Sequence, residues 1–220
     1  FIILINTIMT RMKITERHVR IVAIVKFAIA IGLFIALPFI GMEKIVNVVI
    51  DIEELCMVEV EENSWSKIVI HHSATNGGDA HAFDTYHREK KKWANGLAYH
   101  FVIGNGSGSK DGKIEVGERW TKQIHGAHTA NMDINRIAIG ICLVGNFEEE
   151  QVPTQKQITS LVSLINYLSN RYHIPESNII GHNQVTQKST ACPGKNFHFE
   201  TILNRIPLFQ VQASRMHTEK

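Results

Sequence analysis

Three residues of this 220-residue chain stand where side chains from separate elements converge and could hold a metal: His71, His182 and Cys192. His71 lies at the end of the run Lys67-Ile68-Val69-Ile70-His71-His72, whose apolar, β-branched residues read as a buried strand. His182 closes a second short run, Ser177-Asn178-Ile179-Ile180-Gly181-His182, and Cys192 follows ten residues later in the turn Thr190-Ala191-Cys192-Pro193-Gly194. Strand ends along one edge of an α/β sheet are where sites are assembled. Two imidazoles and one thiolate make a three-ligand set for Zn2+ with a fourth position left for water, which is the open coordination of a catalytic centre rather than a structural one. The interval from His182 to Cys192 follows no general zinc rule, and a histidine at a strand end is more often a satisfied polar residue than a ligand. His72, next to His71, is the competing ligand, but strand alternation turns it to the opposite face.

The elements that must position these residues are legible as one α/β domain. Turn residues Asn76-Gly77-Gly78 end the first strand, and Phe83, Tyr86, His87 and Lys90 then recur at helical spacing. Ala98–Ile103 reads as a second strand, Lys113–Gly117 as a short third, and Ile137–Val144 as a central strand apolar on both faces. Ile158, Leu161, Val162, Ile165 and Leu168 give the clearest helix, opened by a Thr154/Gln157 capping box and followed by Pro175. The expected architecture is α/β: a mixed central β-sheet of about five strands flanked by helices, with an N-terminal hydrophobic helix. Composition agrees with a folded domain, with 44% hydrophobic and 20% charged residues. The net charge of +2 gives no signal for nucleic acid. Three cysteines, Cys56, Cys142 and Cys192, exclude a disulfide scaffold, and of twelve histidines only two are assigned to the metal.

Six blocks in order, IHHSAT (70–75), LAYHFVI (97–103), HGAHT (125–129), IGICLVGNF (139–147), GH (181–182) and TACPG (190–194), resemble the zinc-dependent N-acetylmuramoyl-L-alanine amidases, the family of bacteriophage T7-type lysozyme and the peptidoglycan recognition proteins. The resemblance covers about residues 65–200. It implies Zn2+ held by His71, His182 and Cys192, and hydrolysis of the amide between N-acetylmuramic acid and L-alanine of peptidoglycan. It also implies that Tyr99 orients water or bonds the developing oxyanion. Thr190 stands where T7-type members carry a lysine, and is expected to act as a neutral hydrogen-bond donor. Some branches carry a catalytic glutamate at the position of Cys142, here an expected buried and inert thiol. His128 and Thr129 match the segment that lines the peptidoglycan groove in relatives, Trp93 matches an aromatic common before the YHF strand, and all three are expected to contact substrate. The alternative from the same resemblance is a non-catalytic peptidoglycan-binding module, whose members usually lack the cysteine ligand.

The first forty residues are a separate object. Ile21–Gly41 carries a single charge, Lys26, with Arg11, Lys13, Arg17 and Arg20 before it and Glu43, Asp51, Glu53 and Glu54 after it. A basic flank, an apolar run and an acidic flank make an N-terminal signal or anchor. With no small-x-small site after the run, an uncleaved anchor is favoured, and Met12 reads as a more usual start than Phe1. The expected organisation is a cytoplasmic tail and anchor helix over 1–42, a stem over 43–64, a monomeric amidase domain over 65–205 and a tail over 206–220. The catalytic domain would then sit outside the cytoplasm, or be secreted if the signal is cleaved.

Overall fold

The computed structural model describes residues 52–185 and 189–207. The expected anchor helix and the C-terminal tail from 208 lie outside the described residues. Among the described residues, no helix is long and apolar enough to cross a membrane.

Five strands form one sheet: β1 (Lys67–His72), β2 (Phe101–Ile103), β3 (Ile114–Val116), β4 (Ala138–Leu143) and β5 (Ile179–Gly181), in the spatial order β3-β2-β4-β1-β5. β3 is antiparallel to β2, and all other pairs are parallel. The mixed five-stranded sheet is the one the sequence predicts. β1 is paired on both sides, with Ile70 opposite Ile141 of β4 and Gly181 of β5. Its buried run of Ile and Val is what a doubly flanked parallel strand requires.

Helix α1 (Ala80–Glu89) follows β1, capped by the Asp79 carboxylate on the Ala82 amide at 2.6 Å. Short helices α2 (Glu118–Thr121) and α3 (Met132–Ile137) precede β4. The long helix α4 (Gln155–Tyr172) has the predicted capping box, and α5 (Phe199–Leu203) closes the described chain. Strand alternation divides the sheet into two unlike faces. Ile68 and Ile70 of β1 join Phe101, Ile103, Ile139, Ile141 and Leu143 under Leu161, Leu164, Ile165 and Leu168 of α4. The other face is thinner: Leu97, Val102, Cys142 and Val144 pack with Phe83 and Tyr99, and Val69, Ala138 and Val185 with Ile134 and Ile180. His71 falls on this second face.

The segment read as a stem is docked from Ile52 onward. Ile52, Cys56 and Trp65 are in the main core. Glu62 is paired with Arg171 and accepts from the Tyr172 hydroxyl at 2.6 Å, tying the segment to the end of α4.

Gln157 does more than complete a cap. It is fully buried, its Oε1 accepts from the Thr154 amide at 3.1 Å, and its Nε2 donates to the carbonyls of Ile103 and Val144 at 3.1 and 2.9 Å. One side chain therefore ties the start of α4 to the ends of β2 and β4. Gln157→Leu keeps the volume but strands these groups, and is expected to cost about 1–3 kcal/mol. A lowered urea midpoint with an unchanged slope checks this.

Candidate metal centre

His71, His182 and Cys192 converge where β1 and β5 end. One ligand atom from each lies within 4.8 Å of the other two. His71 is 1% exposed and is fixed by its place near the end of the doubly paired strand. His182 begins the 3-10 turn His182–Gln184, which caps β5 as the Gly181 amide donates to Gln184 Oε1 at 2.7 Å. The rings of His71 and His182 have centroids 4.6 Å apart. The Asn183 amide donates to the Cys192 carbonyl at 2.7 Å, so the turn carrying one ligand is bonded to the segment carrying the other. Thr190 Oγ1 accepts from the Cys192 amide at 3.2 Å and shapes that segment further.

The donor set fits zinc. A tetrahedral centre with Zn–N near 2.05 Å and Zn–S near 2.3 Å sets an N to S edge of roughly 3.6 Å. His71 Nδ1 and Cys192 Sγ are 3.7 Å apart. The His72 amide donates to Cys192 Sγ at 3.4 Å, a bond that favours a thiolate. Burial, against that bond, pushes the Cys192 thiol up to about 12, so binding a cation there displaces its proton. Burial, then the neighbouring histidines, hold His71 well below its ordinary value, leaving it a neutral imidazole.

The remaining predicted residues take distinct places. His72 faces away from the set, and its Nδ1 accepts from the Phe147 amide at 3.1 Å, as alternation requires. The Tyr99 ring lies 5.2 Å from that of His71, and Tyr99 packs with Cys142. Burial, then the two thiols Cys142 and Cys192, push the phenol well up, so it remains a proton donor. Cys142 is fully buried, as expected. Trp93 stacks on His87 with centroids 5.0 Å apart, and His87 is 6.1 Å from Tyr99, so an aromatic row runs from Trp93 toward the ligands. Thr129 spends its groups on the turn into α3, its Oγ1 donating to the Asn131 carbonyl at 2.9 Å and its amide donating to Asn135 Oδ1 at 3.0 Å. His128 is 6% exposed and lies against His71 rather than in an open groove. Sequence reasoning passed over His87 and His100, the latter buried with Nδ1 accepting from the Gly140 amide at 2.9 Å.

Burial, the first cause in each case, lowers His71, His100 and His128, the last to about 3 from 6.5. Their neutral forms are therefore favoured by folding. That stability is present above pH 6.5 and is lost as the pH falls toward the folded-state value, at about 1.4 kcal/mol per pH unit for each histidine. Zinc-free protein is expected to show a urea midpoint that drops steeply between pH 7 and pH 5, followed by tryptophan fluorescence.

The family model described as N-acetylmuramoyl-L-alanine amidase matches residues 61–195. No curated protein matches the chain. Among solved structures, the N-acetylmuramoyl-L-alanine amidase LysC from Clostridium intestinale is 36% identical, with a TM-score of 0.55, over 65% of this chain and 85% of that one. Bumblebee PGRP-SA is 25% identical, with a TM-score of 0.53, over 67% and 90% of the two chains. A point mutant of Drosophila PGRP-LB in complex with tracheal cytotoxin is also 25% identical, with a TM-score of 0.52, over 69% and 87%. The match across most of the folded domain shows that this chain belongs to the N-acetylmuramoyl-L-alanine amidase family.

Proposed function

We propose that the protein is a zinc-dependent amidase that cuts the bond between N-acetylmuramic acid and L-alanine in peptidoglycan. The observation that carries this reading is the convergence of two imidazoles and one thiol on a common point, in a chain of this family. His71, His182 and Cys192 would hold the ion. Bound there, zinc supplies a water of pKa about 7 and polarises the scissile carbonyl.

The chain's own groups do the rest. Tyr99, kept protonated by burial, presents a neutral hydroxyl beside His71 and can donate to the carbonyl oxygen as charge builds on it. The Thr190 oxygen is engaged by the Cys192 amide, which leaves its own proton for a bond to substrate. The Trp93–His87 row offers a flat aromatic surface for the sugar or the stem peptide on the approach to the ligands. Because its substrate is a wall polymer, the domain is proposed to act outside the cytoplasm. A complete ligand set favours catalysis over simple recognition of peptidoglycan.

Wild-type protein loaded with zinc should release free stem peptides from a muropeptide digest, and Cys192→Ala should lose both zinc and release. Tyr99→Phe should keep its zinc while kcat falls by about 10²–10³. Zinc-loaded, folded wild type that binds muropeptide without cutting it would favour the recognition module.

A further inference from the structure

His71 is not alone beneath the metal centre. Its Nε2 lies 3.1 Å from Nδ1 of His128, and Nε2 of His128 lies 3.3 Å from the Ala138 carbonyl. A carbonyl can only accept, so the proton of His128 belongs on Nε2. Its Nδ1 is then the acceptor, and the proton between the two rings belongs to His71 Nε2. That leaves the lone pair of His71 on Nδ1, the atom 3.7 Å from Cys192 Sγ. The chain of bonds from Ala138 thus selects the one tautomer of His71 whose free nitrogen faces the other ligands.

Two glycines fix the ring that does this. A methyl at Gly140, in the middle of β4, would lie 2.7 Å from Cγ of His128, and one at Gly126 would lie 2.6 Å from its Nε2. Gly140 pairs with Val69 of β1, two residues before His71 and on the same face. The omitted side chain is the space that the second imidazole fills.

We propose that His128 is a positioning residue for the metal, which sets the tautomer and orientation of His71 and does not contact the substrate. This rests on the zinc reading above, and metal binding can be measured apart from catalysis. Zinc affinity is read by competition with a chromophoric chelator, using purified full-length protein checked for folding by circular dichroism. His128→Phe keeps the ring volume and removes the acceptor, and is expected to weaken zinc binding 10–100-fold. His128→Asn can place Oδ1 where Nδ1 stood, and is expected to recover most of that loss. Gly140→Ala, which touches no ligand, is expected to weaken zinc by crowding His128. Cobalt-substituted protein supplies an independent readout, because the Phe variant should show an altered visible spectrum and the Asn variant a spectrum like wild type. Folded Phe variant binding zinc as tightly as wild type would overturn the assignment, as would an Asn variant as weak as Phe. Wild type that binds zinc and fails to cut muropeptide would defeat the amidase reading while leaving the His128 result standing. Wild type without zinc affinity would defeat both.

Discussion

The site depends on one constraint: β1 is hydrogen-bonded on both edges. A strand paired with β4 on one side and β5 on the other has no freedom to slip, because a one-residue shift would move Ile68 and Ile70 out of the core. The period of two then decides everything that follows. His71 must face the thin side of the sheet, His72 must face the other, and the short β5 must deliver His182 beside the end of β1. The two candidate histidine ligands take their positions from backbone pairing first, and their ring contacts act within that frame.

Such a site is costly to bury. Three imidazoles, His71, His100 and His128, are each less than a tenth exposed. Each keeps a hydrogen-bond partner, which offsets most of the desolvation. Leucines and isoleucines fill the face under α4, while the opposite face gives its interior to polar groups. Stability is supplied on one side of the sheet and chemistry is housed on the other.

This division explains what the sequence made legible. Every strand was readable, because β-branched runs and turn residues are local signals, and so was α4, whose apolar spacing runs over several turns. The convergence of His71, His182 and Cys192 was partly readable, because the two histidines lie at or just after strand ends. The short helices α2 and α3 were not, since four and six residues are too few for a period to emerge. The docking of residues 52–65 was not, because it depends on Glu62 meeting Arg171, 109 positions away. His128 was read as facing substrate because its motif is local, whereas its partner His71 is 57 residues distant and reaches it only through the register of β1 with β4.

Gly140 carries a consequence of another kind. In a central strand the absence of a side chain is a loss of packing and an entropic cost, tolerated where something else needs the volume. Here two glycines make room for one ring: positions 126 and 140 supply the hollow and position 128 supplies the imidazole. These three positions form a single unit of variation. A larger residue at either glycine crowds the ring at 128, so the three should drift together or not at all across related chains.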